Sequence, residues 1–111
     1  MDARIQEIKR RFLELRNGII GDVYRRAGID CYDVIFGLNL PQIASIAADY
    51  APDEQLADLL WADRKVRESR LLSVYLRRRE ETDEQKLADL LSDAQTREEA
   101  DILHWRLAPK D

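Results

Sequence analysis

The chain has 111 residues, enough for one domain and too few for a second cored unit. Apolar residues make up 45 % and charged residues 36 %, with only 4 Gly and 3 Pro, which excludes collagen-like, low-complexity and hairpin-rich all-β chains. Eighteen basic against 22 acidic side chains leave a net charge of -4, which argues against a strongly basic nucleic-acid module and leaves room only for a local basic face.

The first segment is amphipathic. Ile5, Ile8, Phe12, Leu15, Ile19, Val23 and Ala27 recur at spacings of three and four. At about 100° per residue they stay on one stripe, which predicts a long helix over about 3–27, capped by Asp2 and stopped by Gly28. Asn17-Gly18 is a turn signal inside that stripe, so two helices broken there are the alternative. Residues 29–39 hold β-branched and aromatic side chains without a helical stripe. They read as a packed connection that plugs the core, with no strand partner elsewhere. Pro41 suits the first turn of the next helix. Ile43, Ile46, Ala47 and Tyr50 form its inward face, and Ala51-Pro52 ends it.

Asp53 caps a further helix, with Leu56, Leu59 and Leu60 inward. Asp63 caps another over about 64–79. Thr82 and Gln85 form a capping-box pattern before Leu87, Leu90 and Leu91. Thr96 and Glu99 form a second before Ala100, Ile102, Leu103, Trp105 and Leu107. Six helices result, and Trp61, Tyr75 and Trp105 all fall at core-type positions.

An internal repeat organises the second half. Asp53-Glu54-Gln55 recurs as Asp83-Glu84-Gln85, Leu56-Ala57-Asp58-Leu59-Leu60 as Leu87-Ala88-Asp89-Leu90-Leu91, and Arg67-Glu68 as Arg97-Glu98. Paired helices at a period between about 20 and 50 residues point to an α-solenoid. A chance likeness of two amphipathic helices is the alternative. The expectation is one all-α domain over 1–111: stacked antiparallel helical pairs, a HEAT-like α-α superhelix behind a long N-terminal helix. Its repeat units span about 53–79 and 83–107.

Phe36-Gly37-Leu38-Asn39-Leu40-Pro41-Gln42-Ile43 with Ile46-Ala47, and Leu60-Trp61 followed by Arg67-Glu68-Ser69-Arg70-Leu71-Leu72, resemble the DNA alkylation repair (AlkD-like) family over roughly residues 30–76. The resemblance implies an array of HEAT-like helical pairs. In catalytic members it also implies duplex DNA in a basic concave groove and a Trp-Asp-x-x-Asp signature. Here Trp61 is followed by Ala62, Asp63, Arg64 and Lys65, and Trp105 by Arg106, Leu107, Ala108 and Pro109, so that signature is missing.

Glu68 falls in the middle of the apolar face of its helix, where an ionised carboxylate needs a partner. The structural reading is an ion pair with Arg64 at i−4 or with an arginine of an adjacent helix. A general acid/base role needs a cleft and a second positioned group, and neither shows. Arg70, Arg77 and Arg78, with Lys65, Arg25 and Arg26, are the candidate phosphate- or partner-binding residues. Arg10 and Arg79 are lesser members of the same strip. Cations near a helix C-terminus also complement its dipole, which is the plainer account. His104 lacks a Cys or His partner for zinc, and Cys31 reads as a buried, inert thiol.

No nucleophilic set, phosphate loop or cofactor site can be assembled, so no cofactor is expected and the enzyme reading is the weaker one. One cysteine excludes a disulfide framework. No apolar run nears the roughly 20 residues of a membrane span, and Met1-Asp2-Ala3-Arg4 opens no signal peptide, so a cytoplasmic protein without membrane contact is expected. Two functions remain. One is a non-catalytic scaffold that binds a protein partner or itself. The other is a small DNA-binding or DNA-repair module that contacts duplex phosphates through an arginine-rich helix face.

Overall fold

Asp2 accepts a hydrogen bond from the Arg4 N–H at 2.9 Å and starts helix α1 (Ala3–Glu14). Ile8 and Phe12 carry its apolar face into the core. Ion pairs tie its rim to the segments around it: Arg4 to Asp53 at 2.6 Å, Lys9 to Asp63 at 2.9 Å and Arg11 to Asp49 at 2.6 Å. The structure is a computed structural model and describes residues 2–109.

The continuous 3–27 helix is not formed. Chain order breaks at Asn17, whose side chain accepts from the N–H groups of Ile19 and Ile20 and opens helix α2 (Gly18–Arg26). A tertiary contact decides this: the Asn17 N–H donates to the Phe36 carbonyl at 2.7 Å, a bond incompatible with an unbroken helical ladder. The apolar stripe is redirected as a result. Ile19 is 79 % exposed and Val23 is exposed too, while α2 sets Gly21 against the Ile35 backbone. Gly28 at φ +88° then closes α2 as expected. The Ile29 N–H reaches the Tyr24 carbonyl and the Gly28 N–H the Arg25 carbonyl, a Schellman pattern.

Residues 29–39 form the packed connection, with Tyr32 and Leu38 buried. A strand partner does exist, over one isolated parallel bridge between Val34 and Val66. The Val34 N–H donates to the Lys65 carbonyl at 3.0 Å and the Arg67 N–H to the Val34 carbonyl at 3.2 Å.

Asn39 and Gln42 close a capping box on helix α3 (Leu40–Ala48), with Pro41 in its first turn and Ile43, Ile46 and Ala47 inside. Asp53 caps helix α4 (Glu54–Trp61). Leu56 and Leu60 are buried there, whereas Leu59 faces out. Helix α5 (Arg67–Tyr75) is shorter at both ends than the expected 64–79. The bridge holds Val66 extended, so Asp63 does not cap; it takes the Ser69 hydroxyl at 2.8 Å. Beyond α5, Arg79–Glu81 make a single 3-10 turn. Asp83, rather than Thr82, caps helix α6 (Glu84–Asp93), because the Thr82 hydroxyl is turned to the Arg78 carbonyl. Thr96 caps helix α7 (Arg97–Leu107) as expected.

All the regular elements among the described residues are therefore helical. Helix α5 lies at the centre, packed on α3, α4 and α7, and α6 packs on α7. Every residue from Arg67 to Arg77 is buried. The Cα radius of gyration of 13.4 Å is that of one compact body of this length. The repeat is respected in helix placement but not in burial. The Arg67 side chain is 2 % exposed and its counterpart Arg97 is 93 % exposed. Helix α5 packs on α3, α4 and α7, whereas α7 packs on α5 and α6.

Gly28 and Gly37 both have φ +88°, but a Cβ at Gly37 would stand 2.1 Å from the Asn17 carbonyl oxygen, while Gly28 faces open space. Gly28→Ala is expected to destabilise by about 1 kcal/mol, the left-handed strain alone. Gly37→Ala adds a backbone clash and should cost about 3 kcal/mol or more, read from urea midpoints. Equal effects would mean that the Asn17–Gly37 approach does not hold the break in place.

Candidate functional site

The polar groups of α5 make three clusters along its length. At its start, Glu68 is fully buried and accepts the Phe36 N–H at 2.9 Å and the Gly37 N–H at 3.0 Å. Its cationic partner is Arg67 at 2.6 Å, not Arg64, which goes to Asp93 at 2.5 Å. Arg64 precedes α5 and so does not occupy the turn before Glu68. Arg67 also donates to the Leu38 carbonyl, to both Glu98 oxygens and to the Tyr24 hydroxyl, with its guanidinium 4.3 Å from the Tyr24 ring centroid.

One turn on, Arg70 is fully buried. It donates to Glu99 at 2.9 Å, to the Trp61 carbonyl at 2.7 Å and to the Asp93 carbonyl at 2.6 Å. The guanidinium stacks 3.5 Å from the Trp61 ring centroid. Glu99, also fully buried, accepts the Gln95 N–H and a very short bond from the Tyr32 hydroxyl. Past the end of α5, Arg77 pairs with Glu54 at 2.7 Å and Asp58 at 2.9 Å.

Arg70 and Arg77 are thus interior groups with their charges answered, and neither is free to meet a phosphate. The other four candidates are at the surface. Arg25 is turned back onto the connection, donating to the Tyr32 and Asp33 carbonyls. Lys65, Arg26 and Arg78 are exposed, and they lie on separate segments. The strip expected from the helical wheel does not form, because its two central members are consumed by carboxylates from α4, α6 and α7.

Burial acts to raise the Glu98 carboxyl, but the hydrogen bonds and charge of Arg67, with the Tyr24 hydroxyl, outweigh it and hold it below its ordinary range. Asp93 is lowered mainly by its bond to Arg64, with Arg70 adding to it. Burial first, then the neighbouring carboxylate, pushes Tyr24 up to about 12 and Tyr32 upward as well. Cys31 is half-buried rather than buried, and burial and the Glu99 charge raise its thiol, which disfavours the nucleophilic thiolate. His104 is exposed.

Two features escape a sequence reading. Glu99 is both the third residue of α7 and the counter-charge of Arg70, and only its capping role has a sequence signal. Trp105 is 64 % exposed, although helical spacing places it inward. It meets Tyr75 edge-on, with centroids 6.4 Å apart, beside an open cavity.

These observations define an all-helical protein whose buried charges are paired with one another or with carboxylates of neighbouring helices. No family model matches the chain, and no curated protein or solved structure matches it.

The repeat offers an internal control. Arg67→Ala strands the buried Glu68 carboxylate and should cost about 3–5 kcal/mol. Arg97→Ala at the equivalent exposed position should change stability by less than about 0.5 kcal/mol, both read by urea denaturation.

Acid provides a second check. Glu98, Asp93, Asp53 and Asp58 all have lowered folded-state pKa values, so the unfolded chain binds more protons as pH falls. Their contribution is complete above the ordinary carboxylate range and lost as pH drops through the lowered values. The urea midpoint should hold from pH 7 to about 5 and fall below about 4, with a shallower fall in Glu98→Gln.

Proposed function

We propose that this protein is a non-catalytic helical scaffold that binds a protein partner or a second copy of itself. The observation that carries this reading is the exposed Trp105. Its indole borders a cavity of about 450 Å³ formed by Leu40 and Ile102 with Arg97, Glu98 and Asp101 at the rim. An apolar floor around an exposed aromatic, rimmed by charge, is the usual make-up of a contact surface. Charged groups that could do acid–base work are locked to each other inside: Glu68 to Arg67, and Glu99 to Arg70.

The scaffold is read as a short HEAT-like stack. Supporting this are the pairing of α4 with α5 and α6 with α7, and the row of α3, α5 and α7. The resemblance of residues 30–76 to the DNA alkylation repair family belongs to the same proposal and concerns the scaffold. A DNA-contacting module is the rival reading, and of its six candidate cations Lys65, Arg25, Arg26 and Arg78 remain at the surface.

Sedimentation velocity over rising protein concentration, beside anisotropy of a labelled duplex at about 50 and 200 mM salt, separates the two readings. The scaffold reading expects no duplex binding at either salt. It also expects self-association, or capture of a partner, that Trp105→Ala abolishes. Micromolar duplex binding that weakens with salt and with Arg78→Ala, and is indifferent to Trp105, would replace the scaffold with the DNA module.

A further inference from the structure

Past the C-terminal end of α5, guanidinium groups from two separate parts of the chain meet. Arg77, Arg78, Arg79 and, from α7, Arg106 line a cavity of about 240 Å³, with Glu80 as the one carboxylate among its lining residues. Arg77 is answered from α4 by Glu54 and Asp58. The other three have no carboxylate partner among the described residues. Arg79 gives a single bond to the Trp105 carbonyl at 3.2 Å. Arg106 lies over the Tyr75 ring, 4.7 Å from its centroid. Arg78 is exposed. The Nε–H groups of Arg77, Arg79 and Arg106 are buried and have no acceptor.

Two physical arguments make this more than a basic helix end. Arginines at a helix C-terminus complement its dipole, but the dipole offers only a fraction of one charge and fades within a turn. Three cations with one carboxylate, Glu80, among them repel one another, and buried guanidinium donors without acceptors are costly. An oxyanion in the cavity relieves the repulsion. Guanidinium forks match the spacing of phosphate oxygens. The charge is matched too. Arg78, Arg79 and Arg106 contribute three positive charges and Glu80 removes one, leaving two for the ligand to neutralise. A phosphate monoester or inorganic phosphate carries close to that charge above its second pKa of about 6.

We propose that this cavity binds a phosphate group, presented as inorganic phosphate or as a phosphomonoester. The site adjoins Trp105 through the Arg79 bond to its carbonyl and through the Tyr75 ring, and its ligand need not be the scaffold's partner.

The test follows the arginine Nε–H resonances of the full chain by NMR at pH 7.5, with ionic strength held constant by chloride. Sodium phosphate is titrated first and phenyl phosphate second. The expected result is saturable shifts at Arg79 and Arg106 at millimolar ligand or below. Arg78→Gln and Arg106→Gln should each weaken binding about tenfold, the loss of one charge-assisted contact. Arg78 is exposed, so its variant tests the site with the fold intact, and a thermal melt of each variant checks this. Tighter binding of phenyl phosphate would place the phosphate on a larger molecule; equal binding would mean the free ion. Shifts that climb without saturating, or an affinity unchanged in Arg78→Gln, would overturn the proposal. So would a duplex oligonucleotide that binds through Arg78 while neither monoester nor free phosphate is felt.

Discussion

Charge inside helix α5 is the constraint on which the rest of the structure depends. Arg67, Glu68, Arg70 and Arg77 are all stripped of water. Buried ion pairs add little net stability over well-packed apolar replacements, yet losing one partner strands the other. Each of these groups finds its partners on different segments: the connection at Phe36 to Leu38, α4 at Trp61 and Glu54, α6 at Asp93, α7 at Glu98 and Glu99. An arrangement that met one cluster and missed another would leave a bare charge in the core. Hydrophobic packing of Leu71, Leu72, Val74 and Leu76 is non-directional and could tolerate several helix orders. The ion pairs cannot, and so they select the arrangement.

The same constraint shapes the chemistry left over. Carboxylates that look poised in sequence are spent on internal arginines and backbone N–H groups. Whatever this protein recognises must therefore be met at its surface, by side chains that folding leaves uncovered. Three such regions are left uncovered: the outward face of α2 with Ile19 and Val23, the indole of Trp105, and the arginines beyond α5, which adjoin Trp105 through Arg79. The first two are apolar and the third is cationic, so they suit different kinds of contact.

The repeat shows how the same residues acquire different roles. Arg67-Glu68 and Arg97-Glu98 both open the second helix of a pair. In the first unit, neighbours on either side bury the arginine and supply its acceptors. In the second, Arg97 is exposed and reaches Asp101 at 3.7 Å along its own helix. One arginine is enclosed by other segments and the other is not, so the same dipeptide serves differently in its two places.

Much of the local structure was legible in the residues. The caps at Asp2, Asp53 and Thr96, the stop at Gly28, Pro41 in a first turn and the apolar face of α3 follow from short-range rules, since each depends on groups within one turn of chain. The turn signal at Asn17-Gly18 marked the break in the first helix as the alternative reading, but the placement of Gly37 beside Asn17 that accompanies it was not legible. Nor were the partners of Glu68 and Glu99, the burial of Arg70 and Arg77, or the emergence of Trp105 at the surface. A helical wheel reports which side chains share a face; it is silent on what comes to lie against that face. Helical class and most of the caps belong to the sequence by itself. Which charges are neutralised and which stay open was decided only in the tertiary structure, because electrostatic partnership acts between segments about 30 residues apart in the chain and adjacent only once folded.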